Sequence, residues 1–215
     1  MKIAIVGAGR VGSTLGTRWS AEGHDIVYGV RDPSEPRHAE LGSTAKAAVA
    51  VRGADVVIVA LPWNAVEPVL SSIDVGDAVV IDATNPLAAS SRELEGHPEL
   101  SGAQLIAEWA RSSRVIKAFN STGAGNMANP TYPGGTPVML LAGDHADAKS
   151  VVSSLATEIG FDAVDAGPLA AARDLEHLAM IWIRLAYTLG QGQTSPSLCC
   201  DGDPRGSRPA HGPAL

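Results

Sequence analysis

Apolar residues in the first two thirds of the chain fall into short runs, separated by stretches with helical spacing. Several runs, such as VVIVAL and AVVI, are continuously apolar, as expected of strands buried on both faces of a sheet. The predicted strands are Lys2–Val6, Asp25–Val30, Val56–Leu61, Ala78–Asp82, Arg114–Phe119 and Pro137–Ala142. Helices are predicted at 11–22, 35–52, 64–72, 101–112 and 145–160. This alternation predicts an α/β fold with a Rossmann-like, doubly wound parallel sheet.

The pattern changes at Leu169, where apolar residues begin to recur at steps of three and four. The stripe consists of Leu175, Leu178, Trp182, Leu185 and Leu189, and Met180, Ile181 and Ile183 widen it. Such a helix should be buried, either over the sheet or against another subunit. We therefore divide the chain into a Rossmann-like domain over 1–166, a small C-terminal helical cap over 167–190 and a tail over 191–215. The tail is rich in Pro, Gly and Ser and is predicted to be disordered.

Composition narrows the classes of partner. The net charge is −7 and no cluster of Lys and Arg exceeds a pair, which disfavours nucleic acid and anionic membranes. The six histidines lack metal-ligand spacing, so no metal site is expected. The chain starts directly with a strand-like run, and its two cysteines, Cys199 and Cys200, are adjacent. We therefore expect a cytoplasmic protein without a disulfide framework.

A glycine-rich fingerprint follows the first strand. Gly7, Gly9 and Gly12 form a GxGxxG pattern between a predicted strand and a predicted helix, which is the context that the motif requires. In a dinucleotide site, the first glycine permits the tight turn and the second lets the backbone approach a pyrophosphate. The third lets helix and strand pack closely. The helix N-terminus would then offer free amides to the phosphates. The alternative is a glycine-rich turn that binds no ligand.

The end of the second strand is the expected position of the adenosine ribose. It holds Val30-Arg31-Asp32, and the two charged residues favour different cofactors. Arg31 could pair with the 2′-phosphate of NADP, whereas an aspartate could accept hydrogen bonds from the ribose of NAD. Asp32 comes one residue late for that role and could instead cap the turn before Pro33. We therefore predict NADP, with Arg37 as a further nearby charge.

Further strand ends carry residues suited to a ligand, because ligands of open α/β sheets lie beyond the carboxyl ends of the strands. The candidates are Leu61, Pro62 and Trp63, then Asn85 and Pro86, then Asn120, Ser121 and Thr122. An amide such as that of Asn85 could hold a carboxamide or a ribose, and small residues could let a flat ring lie against the backbone. Ordinary turn chemistry explains any single one of these residues about as well.

Together these stretches resemble one family. GAGRVGSTLG, GHDIVYGVRDP, ADVVIVALPW, VVIDATNP, VIKAFNSTGAGNM and AGPLAAARDLEHLAMIWIRLA occur in an order and spacing similar to those of the F420H2:NADP oxidoreductases. The similarity covers about residues 1 to 190. The chain departs from the family at Val30, where a hydroxyl residue is common, and in the segment SPSLCCDGDPRGSRPAHGPAL, which replaces the family's C-terminal end.

The resemblance implies an NADP-binding Rossmann domain and a C-terminal part that closes a cleft over the deazaflavin coenzyme F420. Hydride would pass directly between two rings, so no catalytic side chain is expected. The resemblance assigns NADP to Gly7, Gly9, Arg10, Val11, Gly12 and Arg31, with Pro62 and Asn85 near the nicotinamide. Asn120, Ser121 and Thr122 would line the place of the second cofactor. Lys117, within VIKAF, is the one titratable candidate near the cleft, and it could simply pair with a neighbour.

Other functions stay open at this point. The acceptor could be a flavin or a ferric chelate, or the protein could be an NADP-sensing module without activity. A hydroxyacid dehydrogenase of the 6-phosphogluconate or hydroxyisobutyrate type is disfavoured, because no lysine follows Lys149 and too few residues follow 142 for the large helical domain that such enzymes need. The apolar helix near 175–189 further predicts a homodimer.

Overall fold

The computed structural model describes residues 1–88, 93–95, 97, 99–132, 135–188 and 199–200. Its strands are β1 (Lys2–Val6), β2 (Asp25–Val30), β3 (Ser43–Lys46), β4 (Val56–Val59), β5 (Val79–Asp82), β6 (Val115–Lys117), β7 (Thr136–Gly143), β8 (Asp162–Asp165) and β9 (Cys199–Cys200). Its α-helices are α1 (Arg10–Ala21), α2 (Ala47–Ala50), α3 (Trp63–Leu70), α4 (Gly102–Ala110), α5 (Ala124–Ala128), α6 (Ala146–Glu158) and α7 (Ala172–Ile183). All six predicted strands are present, and the α/β prediction is confirmed.

The strands form one sheet in the order β3-β2-β1-β4-β5-β6-β7-β8. The six strands from β3 to β6 in that order are parallel, which confirms the doubly wound arrangement. The pairing of β7 departs from this parallel arrangement, because β7 pairs antiparallel with β6. In the described part of the connection between these two strands, the helix is the five-residue α5. A parallel crossover normally needs a longer helix, whereas an antiparallel return does not.

The predicted helix over 35–52 is wrong in most of its length. The structure places there a 3₁₀ turn at Pro36–His38, the edge strand β3 and the four-residue helix α2. Gly42 adopts a φ of +79°, a conformation that ends a helix, and β3 then pairs parallel with β2. The short elements β8 and α5 were not predicted either, because four or five residues give too little periodicity to detect.

Helices cover both faces of the sheet. On one face, Leu15 and Trp19 of α1 and Leu155 of α6 share one hydrophobic cluster with Ile3 and Ile5 of β1. On the other face, side chains of α3, α4 and α7 cover β4, β5 and β6, among them Val66, Ile106 and Leu175. The strands between these layers are buried on both faces, as their continuous apolar runs predicted.

The predicted C-terminal helix is present as α7, followed by a π-helical turn at Arg184–Thr188. It packs over the sheet, against α4 and β7, and buries Leu175, Ala179 and Trp182. Its outer side leaves Ile181 54% and Tyr187 59% exposed. Of the predicted tail, the structure describes only Cys199–Cys200, which pair antiparallel with β7, and Leu189 also lies outside the described residues. No helix of the described part is long and apolar enough to cross a membrane.

Candidate nucleotide cleft and the second strand ends

The glycine fingerprint forms a turn in which each glycine meets different surroundings. Gly7 has a φ of +111°, and a Cβ there would lie 2.3 Å from the carbonyl oxygen of Ala60. At Gly12 a Cβ would lie 2.0 Å from the carbonyl oxygen of Gly7. At Gly9 a Cβ would meet nothing within 4 Å. The first and third glycines therefore serve the packing of the turn, and the second leaves open space above the backbone, as a pyrophosphate requires.

Helix α1 begins at this turn, and its first backbone amides are not capped by a side chain. Gly9 is the N-cap residue, no side chain caps the helix, and the first turn carries no acidic residue. The amide of Ser13 is the first to find a partner along the helix, donating to the carbonyl oxygen of Gly9 at 2.8 Å. The amides of Arg10, Val11 and Gly12 precede it, and the helix itself supplies no acceptor for them. They offer an anion both hydrogen bonds and a positive dipole end.

The helix end opens into a cleft of about 650 Å³. The cleft lies beyond the carboxyl ends of β1, β4 and β5, where the strand order reverses, which is the usual ligand position of this fold. Seven of the predicted site residues line it: Gly9, Arg10, Val11, Leu61, Pro62, Trp63 and Asn85. A larger depression of about 920 Å³ lies at the opposite edge of the sheet, among loops that carry none of the predicted residues.

The loop after β2 separates the roles of Arg31 and Asp32. Arg31 is exposed, and its guanidinium has no hydrogen bond or ion pair with any described residue. The Asp32 carboxylate accepts hydrogen bonds from the hydroxyl of Ser34 at 2.6 Å and the amide of Ser34 at 2.9 Å. These bonds hold the pKa of Asp32 below its usual range. Asp32 thus caps a turn, as the sequence suggested. Arg37 forms an ion pair with Glu35 at 2.5 Å and is not free.

Asn85 and Asn120 bind each other where β5 and β6 end. The side-chain amide of Asn85 donates to the carbonyl oxygen of Asn120 at 2.9 Å, and that of Asn120 donates to Asn85 Oδ1 at 3.0 Å and to the Leu175 carbonyl at 3.0 Å. Asn120 Oδ1 is buried and has no hydrogen-bond partner among the described residues. Among the described residues, the pair therefore keeps an unused acceptor, Asn120 Oδ1, and one N–H of Asn85 without a partner.

Ser121 and Thr122 are separated from the cleft. They line a second, apolar cavity of about 60 Å³ between β7 and α7, together with Val138, Leu178 and Trp182. Among the other predicted residues, Gly7 and Gly12 are buried in the turn and Pro86 is buried beside Asn85. The structure thus brings seven of the predicted residues together in one cleft, leaves Arg31 in the loop after β2, outside the lining of that cleft, and places Ser121 and Thr122 at another cavity.

A buried charge network lies beneath these strand ends. The Lys117 ammonium is fully buried and contacts Asp82 Oδ2 at 2.8 Å, the Thr84 carbonyl at 2.7 Å and Glu176 Oε1 at 3.1 Å. The sequence singled out Lys117 but missed Asp82 and Glu176. The available signals were an aspartate ending one buried run, VVID, and a glutamate beside the apolar stripe of α7.

Comparison with known proteins agrees with this geometry. Residues 2–86 match the model of a family described as NADP oxidoreductase, coenzyme F420-dependent. A structure of a candidate F420-dependent NADP reductase from Arthrobacter sp. FB24 is similar, with a TM-score of 0.80 at 28% identity, covering 90% of this chain and 96% of that chain. A reductive aminase from Aspergillus terreus, solved with NADPH, has a TM-score of 0.65 at 20% identity, covering 88% of this chain and 63% of the aminase. The aminase is similar in fold alone.

The chain is also 29% identical over 182 residues to metalloreductase STEAP3 from Rattus norvegicus. That alignment covers 83% of this chain, and the chain spans only 36% of the length of this relative. The fold, the fingerprint and these matches show that the chain is similar to NAD(P)-dependent oxidoreductases. Within that class, its resemblance to the coenzyme F420-dependent NADP oxidoreductases is confirmed.

Proposed function

We propose that the protein is an NADP-dependent reductase that transfers hydride between NADPH and a ring acceptor of the deazaflavin type. The observation that carries the NADP assignment is the pairing of an open helix end with an unpaired arginine. The amides at Arg10–Gly12 suit a pyrophosphate, and Arg31 extends from the next strand end without a partner among the described residues. A cleft of about 650 Å³ lies within the usual range for ligand sites.

The residues of the cleft have distinct roles in this proposal. Bound NADPH supplies the hydride. The backbone at Gly9 and the first amides of α1 hold the pyrophosphate, and Arg31 holds the 2′-phosphate. Pro62 and Trp63 give the cleft an apolar lining, and Asn85 lines it from the end of the neighbouring strand β5. The chain's contribution to the reaction is the orientation of two rings rather than acid–base catalysis.

The proposal that the acceptor is a deazaflavin is supported by similarity to other proteins rather than by the geometry of the cleft. The family match and the similar Arthrobacter structure favour coenzyme F420. Ser121 and Thr122 were expected to line its place, but the cavity beside them is only about 60 Å³, too small for a tricyclic ring. In the proposal, the acceptor ring therefore binds at the open mouth of the cleft, where it can contact the lining residues Pro62, Trp63 and Asn85.

A second candidate is reduction of another acceptor, a flavin or a ferric chelate. The 29% identity to a metalloreductase over 182 residues favours it. A sensor that binds NADP without turnover is the third reading, and it predicts binding alone.

One spectrophotometric screen separates these readings. NADPH oxidation at 340 nm is followed with coenzyme F420, FMN, FAD and a ferric chelate, each at equal concentration. Turnover with F420 and little with the others supports the proposal, and turnover only with flavin or iron assigns the second function. If NADPH binds in a fluorescence titration and no acceptor oxidises it, the reductase proposal is wrong and the sensor reading holds.

The homodimer stays a proposal, supported by two exposed apolar side chains, Ile181 of α7 and Tyr187 of the π-helical turn that follows it. Sedimentation of the wild-type protein at micromolar concentration should give twice the chain mass. A single species of one chain mass would contradict it.

A further inference from the structure

The Lys117 network satisfies every proton of a buried ammonium. Its three N–H groups meet three acceptors, Asp82 Oδ2, the Thr84 carbonyl and Glu176 Oε1, at 2.7–3.1 Å. The remaining carboxylate oxygens also have donors. Asp82 Oδ1 accepts from the amide of Thr84 at 2.9 Å and its hydroxyl at 2.7 Å, and Glu176 Oε2 accepts from the amide of Gly102 at 3.2 Å. A network so completely paired holds its members in one arrangement.

The network joins the wall of the nucleotide cleft to α7. Thr84, whose carbonyl Lys117 binds, lines the cleft together with Asn85. Glu176, another partner of the Lys117 ammonium, belongs to α7. A parallel connection runs from Asn85 through Asn120 to the carbonyl of Leu175, the residue before Glu176. Two hydrogen-bonded routes thus lead from the same stretch of cleft wall to the same turn of α7.

Stability alone is a weak reason for such a network. Removing one lysine and two carboxylates from water costs several kcal/mol for each ion, and apolar residues of similar volume often stabilise a core as well or better. The network does, however, fix the position of α7 relative to the strand ends more narrowly than apolar packing would. Helix α7 in turn supplies Leu178, Ile181 and Trp182 to the apolar cavity.

We propose that Lys117 and Glu176 are positioning residues, which couple occupation of the nicotinamide end of the cleft to the placement of α7. The inference rests on the proposed function in taking NADPH as the ligand. A ligand that contacts Thr84 and Asn85 restrains both routes, although no residue of α7 is among the described residues that line the cleft.

Hydrogen exchange on the wild-type protein tests this coupling. Saturating NADPH should slow exchange of the α7 amides, 172–183, by about threefold or more, because local opening of the helix becomes costlier. The matched ligand is 2′-phospho-ADP-ribose, which carries the pyrophosphate and the 2′-phosphate but no nicotinamide. It should slow exchange at the glycine turn and leave α7 unchanged.

A pair of variants on α7 sharpens the test. In Glu176→Gln, one of the two accepting oxygens becomes an NH₂ group, so either Gly102 or Lys117 loses its acceptor at that position. We expect the NADPH Kd to stay within about twofold while the response of α7 to NADPH is lost. Asp174→Asn removes the same charge from an exposed position two residues earlier and should keep the full response.

The outcomes separate the two proposals. NADPH binding is first measured by fluorescence titration, and absence of binding overturns the proposed function and this inference with it. Binding without protection of α7, or equal protection by 2′-phospho-ADP-ribose, overturns the inference and leaves the proposed function standing. If the Glu176→Gln protein does not fold, the exchange of α7 in the wild-type protein, with NADPH and with 2′-phospho-ADP-ribose, still tests the coupling.

Discussion

Polar groups are unpaired at one half of the sheet's carboxyl edge and paired with each other at the other half. Beside β1 and β2, polar groups are left free: the first amides of α1 point out of the helix end, and Arg31 is unpaired among the described residues. Beside β5 and β6, nearly all are used: Lys117, Asp82 and Glu176 are buried and fully paired. The free groups suit a charged ligand, and the paired groups suit a fixed wall against which that ligand is oriented.

Among the substitutions that add one methyl group, a change in the glycine turn should lower the stability most. In Gly12→Ala the new Cβ would lie 2.0 Å from the carbonyl oxygen of Gly7, so the backbone of helix or turn must move. Overpacking of this kind costs about 3 kcal/mol. For a chain of this size, that corresponds to a fall in Tm of about 6–12 °C in the absence of ligand. Thermal unfolding of the apoprotein measures it.

Gly9→Ala is the matched control within the same turn. A Cβ there meets nothing within 4 Å and the φ of −75° suits alanine, so the apoprotein should keep its Tm. The methyl group would occupy the space above the backbone, and NADPH binding should weaken by about tenfold or more. If Gly9→Ala destabilises the apoprotein as much as Gly12→Ala does, the two glycines do not have the separate roles assigned here.

Arg31 should give the next largest effect, confined to binding. A charge-assisted bond between a guanidinium and the 2′-phosphate contributes about 1.5–3 kcal/mol. Arg31→Ser should therefore weaken NADPH binding by about ten- to a hundredfold and leave NADH binding nearly unchanged. Titration of both nucleotides at one salt concentration measures the difference. Arg37→Ser removes the same charge from a side chain already paired with Glu35, and it should change NADPH affinity much less.

The wall beside α7 can be altered without touching the nucleotide cleft. In Gly123→Ala a Cβ would lie 2.6 Å from Cη2 of Trp182, so the indole must shift and reshape the apolar cavity. We expect the free energy of unfolding to fall by about 1–3 kcal/mol, the usual cost of overpacking, with the NADPH Kd unchanged. Gly125→Ala, at an exposed position in α5, should lower neither the stability nor the NADPH affinity. An equal loss in both variants would show that α5, and not the indole, is responsible.

The same contrast explains what the sequence could predict. The glycine turn is specified within six residues, so its place and the role of each glycine could be derived from spacing alone. The Lys117 network joins residues that are 35 and 59 positions apart, and no local pattern reveals which acids meet the lysine. Asn85 was recognised at a strand end, but its partner Asn120 lies 35 residues away. The antiparallel return to β7 depends in the same way on where α5 packs.

Asp32→Ala should give the smallest effect and completes the comparison with Arg31. The carboxylate caps the turn at Ser34, and these bonds lower its pKa in the folded state. A lowered folded pKa means that the stabilisation is complete above the unfolded value of about 3.9 and is lost as the pH falls through the folded value. Since Asp32 is exposed, we expect only a slight fall in Tm at pH 7. The fall in Tm should disappear in acid, where the carboxyl group of the wild-type protein is protonated and no longer accepts these bonds.

In the same variant, Asp32→Ala, NADH binding should not change, and NADPH binding should be equal or slightly tighter because a negative charge near the phosphate is gone. Loss of NADH binding in Asp32→Ala, with NADPH binding intact in Arg31→Ser, would mean that the aspartate reads the ribose.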